Sequence, residues 1–392
     1  MMLGFLLARA GIDVIVLEKH ADFFRDFRGD TIHPSTFELM SELGFLDEFL
    51  KIPHQEISEI GVMFDERFFK IADFTKLATP VPAIGMMPQW DFLNFIQKKA
   101  GAYPAFHLMM EANATDLLIE AEKITGVKAI TNEGPVEIYA NLTVAADGRS
   151  SVLRERAGLK IISYGVPIDV LWFKLSKHPT DPAQSFGYSK FGSLVVLLDR
   201  RDYWQCGFVI AKGGFEEIRK KDLQSFGRTI SDAVPFFKDR VQELKDWEQV
   251  KLLAVMVDHL EKWYRDGFLC IGDAAHAMSP VGGVGINLAL QDAVAAANIT
   301  WRPLKEKQHV EVSTLEKIQK RRAFPTRMTQ RLQMGAQNGI IKRRLSRKKQ
   351  KPPLLMRVLN RFQWLRKFPA KAIGIGIRPE HIKTPAVAAG SN

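Results

Sequence analysis

Apolar positions at the start of the chain recur with two different periods. Leu3, Leu6, Leu7 and Ala10 fall at i, i+3, i+4 and i+7, which is one face of an amphipathic helix. Gly11 ends that helix, and Ile12–Leu17 predicts a buried strand that closes on the acid Glu18. Helix, glycine, apolar strand and acid form the second half of a βαβ dinucleotide-binding unit. The first half, a strand and a Gly-rich turn that meets a pyrophosphate at the helix N-terminus, would have to precede Met1. A secretory signal fits poorly: Ala8-Arg9-Ala10 imitates a cleavage site, but no Lys or Arg precedes the apolar run. A core helix and strand of any α/β protein fits equally well, so the rest of the chain must decide.

Further along, the pattern keeps switching between helix and strand. Pro34-Ser35-Thr36 opens a helix carried by Phe37, Met40, Leu43 and Leu46, with Gly44 near its end. Residues 56–84 alternate loosely, as strands of a second sheet would. Trp90, Leu93, Phe95 and Ile96 return to helical spacing, and Asn132-Glu133-Gly134 predicts a hairpin turn. From about 160 to 258 the chain is β-rich, interrupted by a helical stretch near 215–237. Phe268–Ile271 then reads as a strand, followed by a loop and a helix of small residues. This order predicts an α/β nucleotide domain in three segments, 1–55, 88–159 and 259–300. A mostly antiparallel sheet domain is inserted as 56–87 and 160–258, and a basic helical region follows at 301–392.

Charge distribution changes the picture at one place. The chain of 392 residues carries +11 overall, yet 19 Lys or Arg and no Asp or Glu lie between Lys317 and Arg378, so the remainder is net acidic. The run is densest at Lys342–Lys351 and is interleaved downstream with Leu354, Leu355, Phe362, Trp364 and Phe368. Two readings compete: the apolar residues pack on the nucleotide domain with the charges in water, or 342–378 makes a peripheral contact with an anionic membrane. No nucleic-acid motif accompanies the charge, so no nucleic-acid partner is expected. No apolar run reaches the ~18 residues of a membrane-spanning helix. Cys206 and Cys270 form no CxxC, which suits a reducing, cytoplasmic setting. His20, His33, His54 and His276 lie in no metal-ligand spacing, and no metal site is expected.

Two aspartates carry the chemistry. Leu142–Ala146 predicts a strand ending at Asp147, after which Gly148 allows a turn and Ser150 or Ser151 can cap a helix. Phe268–Ile271 ends likewise at Gly272-Asp273, where small residues admit a bulky ligand and the carboxylate can accept from sugar-like hydroxyls. The run GDAAHAMSPVGGVGIN (272–287) resembles the flavin-ribityl motif of the FAD-dependent aromatic hydroxylases, the p-hydroxybenzoate-hydroxylase-like monooxygenases that also include ubiquinone-pathway hydroxylases. The resemblance runs through about residue 300, is strongest at 267–292 and thins across the β-rich insert.

The resemblance implies an α/β fold: a Rossmann-like FAD-binding domain, N-terminally truncated, with an inserted mostly antiparallel β-sheet substrate domain and a helical C-terminal region. It implies that Glu18 binds the adenine ribose, that Arg28 in FRGDTIHP contacts FAD, and that Gln89 sits on a helix beside the cofactor. AADGRSSVLRERAG, with Asp147 and Gly148, matches a motif implicated in FAD and reduced nicotinamide binding. Gly272 and Asp273 would hold the ribityl chain, and Gly285, Ile286 and Asn287 would line the flavin ring. Gly4 and Gly11 fit the last two glycines of the family's extended fingerprint. The final glycine of G-x-G-x-x-G would then fall immediately before Met1, in an upstream reading frame.

The implied reaction uses NADPH or NADH, FAD and O2 to hydroxylate an aromatic small molecule. No second G-x-G-x-x-G appears, as suits a family without a separate nicotinamide domain. Other FAD chemistry, a reductase or a halogenase, would share Glu18, Asp147 and Asp273, although the halogenase Trp-containing motif is missing. A truncated, non-catalytic flavoprotein-like protein is the alternative from another class. No catalytic residue is assigned: Tyr188 and Tyr203 read as packing residues and His276 as structural.

Overall fold

The computed structural model describes residues 1–24, 30–64, 67–182, 185–190, 193–307, 309–344 and 352–388. The opening helix forms at Met2–Arg9, with Phe5, Leu6 and Leu7 in the main core. It packs against the helix Gly285–Lys307. Gly4 gives the strand behind it room, because a Cβ there would stand 2.6 Å from Val16. The strand Val14–Leu17 pairs in parallel with Phe106–Met109. It is less buried than its sequence predicts: Ile15 is 47% exposed, and the two strands form a sheet of their own with no further neighbour among the described residues. A second parallel pair, Thr143–Ala145 with Phe268–Cys270, is extended by Tyr264–Arg265.

The predicted helices form at Pro34–Glu42 and Gln89–Ala100, and Thr131 faces Gly134 across the predicted hairpin turn. The β-rich insert is a seven-stranded sheet in the order Lys251–Leu253, Ile168–Ser176, Tyr203–Ala211, Ser193–Asp199, Phe186–Lys190, Glu59–Phe64, Arg67–Asp73. Its pairings are antiparallel except where Gly187–Ser189 meets Val62–Phe64. Alternation sorts its two faces. Leu171, Phe173 and Leu175 face a core closed by the helix Leu223–Ala233, whose Phe226 and Ile230 are buried. Each such side chain contributes about 1.5–3 kcal/mol by leaving water. Val170 and Trp172 face the other way, toward Val209, Val255 and Val257.

The chain then returns through a 33-residue helix, Val312–Arg344, and two short helices, Leu354–Arg361 and Lys367–Gly374. The last two lie against the edge strand Arg67–Asp73. One buried ion pair ties the insert to the entry of the nucleotide domain. Arg200, at the turn between two sheet strands, meets Asp30, and its Nε also donates to Gln205 Oε1 at 3.0 Å. Among the described residues no helix is long and apolar enough to cross a membrane.

Candidate cofactor site

Ala145 pairs with Cys270, so the two parallel strands end together, and Ile271 N–H extends the pairing by donating to the Ala145 carbonyl at 3.0 Å. Asp147 and Gly272-Asp273 therefore leave the sheet side by side at its carboxyl edge, where open α/β sheets bind ligands. Asp147 is exposed, and its Oδ2 accepts from Leu153 N–H at 3.3 Å. Gly148 turns the chain at φ +88°, with nothing within 4 Å of the position a Cβ would take. Ser151 caps the next helix by accepting from Arg154 N–H at 3.0 Å. Buried Arg154 locks the two strand ends together, donating to the carbonyls of Ala274 at 3.1 Å and Arg149 at 2.8 Å. Asp273 stands half-buried at the rim.

Beneath that rim lies a buried charge cluster. Asp292 Oδ2 accepts from Gly272 N–H at 3.0 Å and from His276 Nε2 at 2.5 Å, while Oδ1 accepts from Arg322 Nε at 2.9 Å. Arg322 also reaches Glu380 at 3.3 Å. Burial alone would raise the Asp292 carboxyl; the charges and hydrogen bonds of His276 and Arg322 outweigh it and hold the group below the usual carboxylate range. His276 is buried in this cluster, beside the Trp263 ring at 5.0 Å. Tyr188 is buried in the insert's core beside Phe186.

The loop from Ala277 to Gly283 is held by three glutamines on one face of the Val312–Arg344 helix. Gln330 Nε2 donates to the carbonyls of Asp258 at 2.7 Å and Ala277 at 3.0 Å. Gln333 Nε2 donates to those of Ser279 at 3.0 Å and Val281 at 2.8 Å, and Gln337 bonds the Ser279 hydroxyl. Gly283 has φ +63°, and a Cβ there would lie 2.5 Å from Thr31 Oγ1. Its carbonyl accepts from Thr31 Oγ1 at 2.8 Å and lies 3.0 Å from His33 Nε2, while His33 Nδ1 lies 2.8 Å from the Ile373 carbonyl. Burial pushes the His33 imidazole down to about 4 despite the two carbonyls.

The helix Gly285–Lys307 begins where that loop ends, and the N–H groups of its first turn have no intrahelical partner. Nothing stands within 4 Å of a Cβ built on Gly285. Ile286 is half-buried, and Asn287 is buried, its Oδ1 accepting from Ser35 Oγ at 2.6 Å and Thr36 Oγ1 at 3.2 Å. The helix start thus offers a ligand free backbone N–H groups. Gln89 opens the Gln89–Ala100 helix, and its N–H donates to the Asp30 carboxylate, which burial raises against the pull of Arg200. Glu18 is half-buried at the end of the other parallel pair; its N–H donates to the Met109 carbonyl at 2.9 Å and its Oε1 accepts from His20 N–H at 3.0 Å. Arg28 lies outside the described residues.

These features fit FAD. Carboxylates at strand ends suit sugar and ribityl hydroxyls, and bare glycine backbone at Gly148 and Gly285 admits flat or bulky groups. A helix start suits an electron-rich ring. No cluster of residues able to hold a metal occurs among those described. Sequence reasoning missed His33, Asp292, Arg322 and the glutamines. The spacing of Gln330, Gln333 and Gln337 on a helix otherwise read as basic was the signal available.

Comparison with known proteins decides the family. The description of an FAD binding domain matches residues 1–331. The chain belongs to that FAD-binding family. It is 30% identical over 338 residues to 6-methylpretetramide 4-monooxygenase of Streptomyces rimosus, covering 85% of this chain and 79% of the relative. It is 22% identical over 335 residues to para-nitrophenol 4-monooxygenase of Pseudomonas sp. WBC-3, covering 81% and 79%. The crystal structure of PqsL from P. aeruginosa in complex with 2-aminobenzoylacetate superposes with a TM-score of 0.74 at 18% identity, covering 87% of this chain and 94% of PqsL. The chain is thus an FAD-dependent oxidoreductase of the flavoprotein monooxygenase type, with the α/β fold, antiparallel insert and helical C-terminal region that its sequence predicts.

Proposed function

We propose that this protein hydroxylates an aromatic small molecule, consuming NAD(P)H and O2 and releasing NAD(P)+ and water. The observation that carries the reading is the pair Asp147 and Asp273 at adjacent parallel strand ends, beside the bare backbone of Gly148 and Gly285. The names of the two monooxygenase relatives, each acting on an aromatic compound, support the substrate class. In this reading bound FAD supplies the redox chemistry and the activation of O2. Asp273 and Gly272 hold the ribityl chain, Asp147 and Gly148 face the cofactor from the neighbouring strand, and Glu18 binds the adenine ribose. Gln89 and Arg28 flank the cofactor, and the N–H groups of Gly285, Ile286 and Asn287 face the ring, where the helix start favours negative charge. The insert's task is to present the substrate ring and exclude water.

Free, buried Cys206 and Cys270 suit a cytoplasmic protein. The basic segment 342–378 adds a peripheral contact with an anionic membrane to the reading, because it carries no acidic residue.

The test is flavin binding and turnover by the full-length protein. Asp273→Ala should weaken FAD binding by about 1.5–3 kcal/mol, the scale of hydrogen bonds to a charged group. Titration showing unchanged flavin affinity in a folded variant would remove Asp273 from the ribityl site. A phenol that stimulates NAD(P)H oxidation and is recovered hydroxylated supports the hydroxylase; oxidation without an oxygenated product favours a reductase instead.

A further inference from the structure

The C-terminal helices carry a surface that the cofactor site does not use. Pro352-Pro353 leads into the helix Leu354–Arg361, whose Leu359 is buried and which lies along the edge strand Arg67–Asp73. Buried Arg366 closes the following turn, its Nε donating to the Leu359 carbonyl at 3.0 Å. Between helix and strand runs a groove of about 760 Å³, walled by Arg67, Phe69, Arg357, Asn360, Arg361 and Gln363, with no carboxylate among the described residues that line it. None of its three arginines makes an ion pair with a described residue. Along the same segment, apolar side chains are left in water: Leu354 is 71% exposed, Leu355 66%, Trp364 59% and Phe368 54%. Trp364 meets Phe368 edge-on at 6.1 Å, and the Lys367 ammonium lies over both rings.

Arginines that make no ion pair among the described residues, set around a groove beside exposed leucines and aromatics, match a phosphate layer over hydrocarbon. Guanidinium forks bind phosphate oxygens, and aromatic rings favour the interface between headgroup and acyl chain. We propose that the groove between Arg67–Asp73 and Leu354–Arg361 seats the phosphate of an anionic phospholipid, while Leu354, Leu355, Trp364 and Phe368 enter the acyl boundary. The charge complementarity is one-sided, since no Asp or Glu lies between Lys317 and Arg378. This rests on the peripheral-contact reading and is independent of the hydroxylation chemistry.

Vesicle co-sedimentation of the full chain tests it. Phosphatidylcholine vesicles containing phosphatidylglycerol should pellet the protein, pure phosphatidylcholine vesicles should not, and added salt should weaken the binding. Each basic residue at such a surface is worth about fivefold in affinity, so Arg357→Glu with Arg361→Glu should lower binding more than tenfold. Trp364→Ser with Phe368→Ser should lower it also, and both variants should keep the wild-type flavin spectrum and NAD(P)H oxidation rate. If the arginine variant pellets as the wild type does, the groove is not the seat and the contact lies elsewhere in 342–378. If the wild type stays in the supernatant with anionic vesicles at low salt, both the groove and the peripheral contact fall, leaving the hydroxylase reading untouched.

Discussion

Asp292 is the residue on which the cofactor rim rests. It is fully buried, and its two oxygens serve three donors from two segments: Gly272 N–H and His276 Nε2 of one turn, and Arg322 Nε of the long helix. A buried ion pair adds little stability over a well-packed apolar alternative, but removing one partner strands the other charge in a medium that cannot solvate it. Asp292→Ala should therefore cost about 3–5 kcal/mol, read from the midpoint of urea unfolding. It should also loosen Gly272, whose φ of +57° and tight packing against Ala289 place Asp273 at the rim. A variant as stable as the wild type would show that the cluster is not needed to hold the strand end.

At the scale of elements, the loop before the helix Gly285–Lys307 is fixed from outside rather than by its own turns. Gln333 satisfies the Ser279 and Val281 carbonyls, so Gln333→Ala leaves one buried and one part-buried acceptor bare and should cost about 1–3 kcal/mol, chiefly for the buried Ser279 carbonyl. Gly283→Ala should act on the same loop from the other side, because φ +63° and a Cβ 2.5 Å from Thr31 Oγ1 both oppose a side chain. Thermal unfolding of the two variants checks both; a Gly283→Ala protein with unchanged Tm would mean that the loop relaxes freely.

These elements also show what was legible in the chain. The strand–acid–glycine runs at Asp147 and Asp273 could be read because strand, turn and carboxylate lie within a few residues of one another. The partners of the 277–287 loop could not, since they come from far along the chain: Ser35 and Thr36 for Asn287, and Gln330 and Gln333 for the carbonyls. Of the C-terminal apolar residues, Leu359 and Ala370 are buried, and their helices lie on the edge strand Arg67–Asp73 of the insert's sheet rather than on the nucleotide domain as expected, whereas Leu354, Trp364 and Phe368 are exposed. Helical period alone could not divide them, because the strand that buries one face lies at 67–73.

For the whole molecule, His33 is the point where the early chain, the 277–283 loop and the last helix meet. Its two ring nitrogens face the carbonyls of Ile373 at 2.8 Å and Gly283 at 3.0 Å. A neutral imidazole donates to only one of them, and the charged ring could donate to both, yet full burial makes charging costly and pushes the pKa from 6.5 down to about 4. The sign follows from proton linkage. Above pH 6.5 the ring is neutral in both folded and unfolded chains and pH has no effect through it. Between 6.5 and about 4 the unfolded chain binds a proton that the folded chain does not, so stability falls as the pH falls, and the loss is complete below about 4. Over that span the loss is about 3 kcal/mol, from the 1.36 kcal/mol carried by each pKa unit. His33→Gln keeps one donor for a carbonyl and removes the titration, so its unfolding free energy should fall less steeply than that of the wild type between pH 7 and pH 4. Urea unfolding of both proteins across that range gives the difference directly. Parallel curves would show that the proton reaches His33 in the folded state as readily as in the unfolded one, and the clasp between Gly283 and Ile373 would then be held by an imidazolium donating to both carbonyls.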